Sequence, residues 1–238
     1  MGSNSRKTQI LKEIFGYDSF RKGQEEIVDQ ILNGRDVLAI MPTGAGKSLC
    51  YQVPALLMSG ITIVVSPLIS LMIDQVKALN EAGVHAAYIN SALSERQITK
   101  ALELAAAGRY KMIYVAPERL LTPRFLDFAC HTELSMVTID EAHCISQWGQ
   151  NFRPSYVKIT EFIRQLPRRP VLLRSKGSLC QNRIHLYKEI QDQVLQEYAA
   201  EHGKLLPGGR QSRTRRRTGR MYPFLFTAGY HDQSAPAG

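Results

Sequence analysis

A glycine-rich stretch at residues 41–48, Met-Pro-Thr-Gly-Ala-Gly-Lys-Ser, constrains the fold of this 238-residue chain more than any other feature. An apolar run at residues 36–41 precedes it, and a helix is predicted to begin near Lys47. A loop between strand and helix suits phosphate, because glycines let backbone N–H groups approach and a helix start attracts negative charge. The candidate ligands are Thr43, Gly44, Ala45, Gly46, Lys47 and Ser48. A strict pattern would have glycine in place of Met41, so a glycine-rich turn with a chance Lys-Ser pair is the alternative.

Short apolar runs rich in Val and Ile alternate with helical patterns along most of the chain. Six of them predict strands, at residues 36–41, 61–66, 85–89, 111–115, 136–139 and 170–173. Ser94 opens one intervening helix with Gln97 three residues on, a capping-box pattern, and Gly108 ends it. Strands that are each bounded by a helix predict an α/β fold, with a parallel sheet and helices on both faces. Ligands of such sheets bind at the carboxyl ends of the strands, where the glycine-rich stretch lies.

Composition limits the class of protein and of partner. Hydrophobic residues make up 44% of the chain, enough for a sizeable core. The net charge of +9 would suit a polyanion, but residues 174–238 alone carry 11 Lys and Arg against 5 Asp and Glu. Four cysteines without a C-x-x-C pair predict neither a zinc site nor a redox motif. With no signal-peptide or membrane-spanning apolar stretch, we expect a soluble cytoplasmic protein without a membrane partner.

An acidic motif, Asp140-Glu141-Ala-His143, directly follows the predicted strand at residues 136–139. A carboxylate at a strand end beside a phosphate loop can hold Mg²⁺ together with the Ser48 hydroxyl, and a neighbouring carboxylate can activate a water molecule. By itself, an acidic pair after a strand is more often a solvated loop. In combination with the phosphate loop, it predicts Ser48 and Asp140 as Mg²⁺ ligands and the following catalytic residues: Lys47, Asp140, Glu141 and His143.

Two further segments carry planar side chains that can stack on bases. The one upstream of the phosphate loop adds an amide that can pair with an adenine edge, and its candidate residues are Tyr17, Arg21 and Gln24. On these residues alone, an ordinary helix start is the simpler interpretation. The segment after the acidic motif places aromatic rings beside an arginine, a surface suited to unpaired bases, and its candidate residues are Trp148, Phe152 and Arg153. Alternatively, its rings fill the core beneath the loop.

Taken in this order, the upstream segment, phosphate loop, acidic motif and aromatic loop resemble the RecQ family of DNA helicases, over about residues 9–173. The stretch Val65-Ser-Pro-Leu-Ile-Ser-Leu71 is similar to a DNA-contacting motif of that family, which adds Ser66 and Pro67 to the candidate DNA-binding residues. The resemblance implies a RecA-like domain that binds ATP and Mg²⁺ and contacts single-stranded DNA weakly. It also implies a superfamily 2 motor that unwinds DNA from 3′ to 5′ in repair and recombination. Asn151, where the family usually has Asp or His, is a small departure.

The resemblance ends after Leu173. The family continues there with a Thr-Ala-Thr motif, whereas residues 174–180 are Arg-Ser-Lys-Gly-Ser-Leu-Cys. We therefore expect an ATP-binding, first RecA-like domain at residues 1–173, followed by an unrelated tail with one helix at residues 184–201 and then disorder. A frameshift or a gene fragment would explain such a tail, and an added basic patch at residues 213–220 is the alternative.

Two hypotheses about function follow. In the first, the chain binds ATP and single-stranded DNA but does not unwind DNA, because this type of motor needs a second RecA-like domain that closes on ATP. In the second, it is a non-enzymatic DNA- or partner-binding protein that uses the basic tail. A transport or metabolic ATPase is disfavoured, since it has no role for the aromatic loop or for the segment around Gln24.

Overall fold

The computed structural model of the chain describes residues 3–41, 44–140, 158–177 and 224–227. The helices in these ranges are α1 Ser3–Phe15, α2 Gln24–Leu32, α3 Leu49–Leu57, α4 Ile69–Glu81, α5 Glu95–Ala106, α6 Pro123–His131 and α7 Lys158–Gln165, with a 3₁₀ turn at Pro117–Arg119. The strands are β1 Val37–Met41, β2 Ile61–Val65, β3 Ala86–Ile89, β4 Met112–Val115, β5 Leu134–Ile139, β6 Val171–Gly177 and β7 Phe224–Thr227. None of the helices in the described ranges is long and apolar enough to cross a membrane.

The strands form one sheet in the order β3-β4-β2-β5-β6-β1-β7. Every pair of neighbouring strands is parallel. Parallel neighbours cannot be joined by a tight hairpin, so most connections are crossovers that contain a helix. The predicted parallel α/β sheet is confirmed, and each of the six predicted strands is present.

Alternate residues of the strands face opposite sides of the sheet. In β2, Ile63 and Val65 pack against α5, α6 and α7, whereas Val64 packs against α2, α3 and α4. We call these sides the α5–α7 face and the α2–α4 face. Because helices cover both faces, the strands are apolar on both sides, which explains why Val- and Ile-rich runs identified them. Helix α1 adds an outer layer on α2 and α3, through a small cluster formed by Leu11, Val28 and Val53.

The capping box predicted at the start of α5 is confirmed. The Ser94 hydroxyl accepts a hydrogen bond from the Gln97 N–H at 3.4 Å, and the Gln97 side chain accepts one from the Ser94 N–H at 2.9 Å. At the other end of α5, Gly108 has a φ of +74°, and its N–H donates to the carbonyl oxygen of Ala105 at 2.9 Å. This left-handed conformation favours glycine and ends the helix, as predicted.

Strand β6 continues beyond Leu173, the last residue of the family-like segment. It pairs with β1 along the whole length of that strand, from Val37 opposite Leu173 to Met41 opposite Gly177. Strand β7 pairs with β1 on the other side. The apolar pattern predicted β6 only as far as Leu173, because polar residues at positions 174–176 interrupt the run that begins at Val171. It predicted no strand at residues 224–227.

The helix predicted at residues 184–201 and the arginine-rich run at residues 213–220 lie outside the described residues. The disorder predicted beyond that helix falls mostly outside them too, apart from the strand β7. The division of the chain at Leu173 and the frameshift origin of the tail stay predictions.

Candidate nucleotide-binding site

The phosphate loop lies between the carboxyl end of β1 and the start of α3, as the sequence predicted. Gly44 and Gly46 have φ angles of +79° and +75°, in the left-handed region where glycine is favoured. A Cβ atom added to Gly44 would have no heavy atom of the described residues within 4 Å beyond its chain neighbours, so this part of the loop faces open space among them. Lys47 and Ser48 follow in the partly buried turn that leads into α3. Thr43 lies outside the described residues.

The side chain of Gln24 is hydrogen-bonded to the phosphate loop. Its side chain is only 1% exposed, and its Nε2 donates to the carbonyl oxygens of Ala45 and Gly46, both at 3.0 Å. Its Oε1 accepts a hydrogen bond from the backbone N–H of Arg21 at 2.8 Å. A Cβ atom on Gly46 would lie 2.5 Å from Gln24 Nε2, so a glycine is required for this close approach. The amide for which the sequence suggested adenine pairing is thus directed at the loop, and the adenine contact stays a prediction.

Arg21 contacts the phosphate loop, whereas the Tyr17 side chain is exposed. Arg21 Nη1 donates to the carbonyl oxygen of Gly44 at 2.8 Å, so it braces the opposite end of the same loop. The Tyr17 side chain is 48% exposed, and its backbone N–H donates to the carbonyl oxygen of Leu11 at 3.2 Å. The structure therefore brings Arg21 and Gln24 onto the loop and leaves Tyr17 on the surface.

Asp140 stands at the carboxyl end of β5. Its N–H donates to the carbonyl oxygen of Val65 at 2.9 Å, and its Oδ1 accepts a hydrogen bond from the Ser175 hydroxyl at 3.0 Å. Ser175 is buried on β6, the strand between β5 and β1, and pairs there with Ala39. The serine thus links Asp140 to the strand that enters the phosphate loop. Ser175 was not predicted as a site residue because it lies in residues 174–180, where the resemblance to the RecQ family has ended. The signal that could have found it is its hydroxyl group, which stands close to where the family has its Thr-Ala-Thr motif.

A polar cluster lies in the core beside the loop, on the α2–α4 face. The hydroxyls of Tyr51 and Tyr114 are 3.3 Å apart, and Gln52 Nε2 donates to the Tyr114 hydroxyl at 3.4 Å and to Gln75 Oε1 at 3.1 Å. We call these four side chains the tyrosine bridge. This cluster was not predicted from the sequence, although the Tyr51-Gln52 pair lies only a few residues after the loop.

Both tyrosines of the bridge remain protonated at neutral pH. Burial raises the pKa of Tyr114 to about 12, and the negative charge of Asp140 acts in the same direction. Burial also raises the pKa of Tyr51 well above its usual value, and Tyr114 and the Asp140 charge add to the effect. The negative charge of Asp140 therefore contributes to the raised pKa of both phenols.

The predicted DNA-contacting residues are only partly described. Ser66 is 2% exposed at the end of β2, and its N–H donates to the carbonyl oxygen of Val115 at 3.2 Å. Pro67 follows in the partly exposed connection to α4. The other predicted residues of the acidic motif and the aromatic loop lie outside the described residues: Glu141, His143, Trp148, Phe152 and Arg153.

Comparison with known proteins gives a family match over most of the described sheet. A model of the family described as DEAD/DEAH box helicase matches residues 21–175. The ATP-dependent DNA helicase RecQ of Bacillus subtilis is 50% identical over 169 residues, which cover 71% of this chain and 29% of that protein. RecQ of Haemophilus influenzae is 46% identical over 163 residues, which cover 68% of this chain and 26% of that protein. These relatives belong to the RecQ family, which the order of the motifs predicted. The chain spans less than a third of their length.

A solved structure shows the same fold. The helicase MrfA bound to DNA and AMPPNP superimposes with a TM-score of 0.61 at 18% sequence identity, over 77% of this chain and 28% of that one. At this identity the likeness concerns the fold alone. It agrees with the predicted RecA-like arrangement, in which a parallel sheet carries the phosphate loop at the carboxyl ends of its strands.

Proposed function

Because the chain belongs to the DEAD/DEAH box helicase family, we propose that it binds ATP together with Mg²⁺ at the phosphate loop. The observation that carries this proposal is the bracing of the loop. Arg21 holds Gly44 and Gln24 holds Ala45 and Gly46, all through their carbonyl oxygens. With the carbonyls held from one side, the backbone N–H groups are left for the other side, where anionic oxygens bind.

The residues at the carboxyl ends of β1 and β5 fit a magnesium nucleotide. Gly44 faces open space, and the Asp140 carboxylate, oriented by Ser175, lies at the same edge of the sheet. Lys47 would neutralise the β- and γ-phosphates, and Ser48 and Asp140 would hold Mg²⁺. Bound magnesium supplies positive charge at the oxygens between which the phosphoryl group is transferred. These assignments use oxygen donors, the ligand type that Mg²⁺ prefers.

The remaining proposed roles are to orient the attacking water and to bind the adenine ring. Glu141 would orient the attacking water, with His143 beside it in the acidic motif. Tyr17, with its exposed ring, would stack on the adenine, whereas Gln24 would act mainly by fixing the loop. We assign Arg21 to the loop as well, because its guanidinium contacts the carbonyl oxygen of Gly44.

We extend the proposal to DNA. The RecQ relatives are named DNA helicases, and the fold neighbour MrfA was solved bound to DNA. Single-stranded DNA would contact Ser66 and Pro67 and the aromatic loop, with candidate residues Trp148, Phe152 and Arg153. We propose that the 238 residues by themselves bind DNA weakly and do not unwind it. The described β-strands form one RecA-like sheet. A motor of this type unwinds duplex DNA from 3′ to 5′ with two RecA-like domains that close on ATP.

Lys47 provides the test of the nucleotide site. Lys47→Ala in the 238-residue chain should weaken MgATP or MgADP binding at least about tenfold, roughly 1.4 kcal/mol, because it removes the ammonium group of the phosphate loop. Isothermal titration calorimetry measures the affinity. Lys77→Ala, on the exposed surface of α4, is the matched control and should bind as the unsubstituted chain does. Unchanged binding by Lys47→Ala, or no binding by the unsubstituted chain, would refute the proposed nucleotide site.

A further inference from the structure

The ammonium group of Lys7 on α1 is held against α2 by two carboxylates. The Lys7 side chain is only 1% exposed, its Nζ donates a hydrogen bond to Asp29 Oδ1, and the same Nζ lies 3.1 Å from Glu25 Oε1. Lysine is rarely buried to this degree, because removing an ammonium group from water is costly unless carboxylates pair with it. Apolar packing at this position would have avoided that cost. What the ion pairs add is direction, because charge-assisted hydrogen bonds fix their partners relative to each other.

These contacts fix how α2 is turned about its own axis. Glu25 and Asp29 are four residues apart, so both carboxylates lie on the face of α2 that Lys7 contacts. Val28 lies on the adjacent face, where it packs against α1 and α3. Gly23, which precedes α2, has no side chain that could cap the start of the helix. The first turn of α2 is therefore held by its neighbours and not by a cap of its own.

Gln24 is the first residue of α2, so the orientation of this helix decides where its amide lies. The Gln24 side chain is buried, and its Nε2 donates to the carbonyl oxygens of Ala45 and Gly46 at 3.0 Å each. Hydrogen bonds weaken steeply when distance or angle departs from the optimum, so these contacts tolerate only a small displacement of α2. The same helical turn thus contacts the phosphate loop through Gln24 and α1 through Glu25.

We propose that Lys7 is a positioning residue of the nucleotide site, which holds the first two turns of α2 so that Gln24 stays bonded to the phosphate loop. The proposal rests on the function proposed above, since its consequence is a change in nucleotide affinity at that loop. Lys7 acts through α2 and needs no contact with the nucleotide. The side chains of Glu25 and Asp29 are 51% and 44% exposed, so both carboxylates stay hydrated when the ammonium group is removed. Loss of Lys7 should therefore loosen α2 without unfolding the chain.

The experiment is a double-mutant cycle between Lys7 and Gln24, with the affinity for a fluorescent MgADP analogue measured in the 238-residue chain. Lys7→Met keeps the apolar stem and removes the charge, and it should weaken binding about threefold, less than the roughly tenfold expected for Gln24→Ala. In the Gln24→Ala background, Lys7→Met should weaken binding by less than about 1.5-fold, because no amide is left to misplace. Lys12→Met is the matched control: Lys12 lies on the same helix and pairs with Asp18 at 2.9 Å, but both side chains are exposed. Its affinity should stay unchanged.

The outcomes separate the inference from the function on which it rests. If the unsubstituted chain binds no nucleotide, the proposed function and the inference both fail. If Lys7→Met binds as the unsubstituted chain does, or if its loss is the same with and without Gln24, the inference alone fails, because Lys7 then does not act through that amide. An equal loss in Lys12→Met would show a general effect of charge on α1 and would also overturn it. If Lys7→Met fails to fold, Asp29→Asn decides, since it removes one partner and keeps the ammonium group. Its expected loss is about twofold and should disappear in the Gln24→Ala background.

Discussion

The two faces of the sheet differ in chemistry. On the α5–α7 face, aromatic rings pack on aliphatic strands, and Phe125 lies 5.9 Å from Phe128 and 5.8 Å from Phe162 between ring centroids. On the α2–α4 face, the buried residues include Tyr51 and Tyr114, whose hydroxyls are hydrogen-bonded to each other. The phosphate loop leads into α3, which belongs to the second face.

The two faces should therefore contribute differently, one to the stability of the fold and the other to the positions of ligand-binding groups. Apolar packing is non-directional and stabilises in proportion to the buried area. Hydrogen bonds add little net stability, but they fix distances and directions, and an unmatched partner is costly. We therefore expect substitutions on the α5–α7 face to change the free energy of unfolding. Substitutions around the loop on the α2–α4 face should change ligand binding more than stability.

The largest effect is expected from Phe162→Ala on the α5–α7 face. Phe162 is fully buried, and its removal leaves a cavity beside Phe125. The free energy of unfolding should fall by about 3–5 kcal/mol, measured by urea denaturation. Nucleotide affinity, measured on the folded fraction, should stay unchanged. A tenfold weaker affinity in a chain that remains folded would show that the two faces are not separate in function.

The second prediction concerns how Gln24 acts. Gln24→Ala leaves the carbonyl oxygens of Ala45 and Gly46 without its amide, so nucleotide affinity should fall about tenfold. Because the amide acts through the loop, the loss should be equal for MgATP, MgGTP and magnesium tripolyphosphate. A loss confined to MgATP would instead support direct adenine pairing. Gln9→Ala, at an exposed glutamine on α1, is the control and should leave all three affinities unchanged.

Much of this architecture could be predicted from local sequence patterns. The six strands were visible because strands covered on both faces are apolar along their length. The phosphate loop and the Ser94 capping box were visible because their residue types and spacing are set by local backbone geometry. The family resemblance and the α/β fold rested on these same local features.

The remainder depends on contacts between distant residues. The amide of Gln24 has the same chemistry whether its partner is adenine or a loop carbonyl, and only the fold decides between them. Residues 174–177 carry no apolar pattern, and their pairing with β1 depends on the neighbouring strand. Lys7 is a further example. Its side chain is 1% exposed because Glu25 and Asp29 of α2 pair with it, and nothing in the local sequence of α1 indicates burial.

A smaller effect on nucleotide binding is expected at Ser175, the residue beyond the RecQ-like segment that contacts Asp140. Ser175→Ala removes the hydroxyl that donates to Asp140, so the magnesium concentration for half-maximal nucleotide binding should rise about threefold. The effect is limited because the Asp140 backbone remains bonded to Val65. Ser135→Ala on β5, whose hydroxyl donates to the carbonyl oxygen of Ile61, is the matched control. An unchanged magnesium requirement in Ser175→Ala would show that Asp140 needs no orientation from β6.

The smallest effect is expected at Thr62, a polar residue on the α2–α4 face at a distance from the loop. Its hydroxyl is buried and has no hydrogen-bond partner among the described residues. Thr62→Val replaces this hydroxyl with a methyl group of similar size, so it should be neutral or stabilise the fold by about 0.5 kcal/mol in urea denaturation. Thr122→Val is the contrast, because the Thr122 hydroxyl donates to the carbonyl oxygen of Arg119 at 2.8 Å, and it should destabilise by about 1 kcal/mol. If Thr62→Val destabilises as much as Thr122→Val, the Thr62 hydroxyl has a partner such as a buried water. The polar groups of this face would then extend beyond the tyrosine bridge towards the opposite end of the sheet.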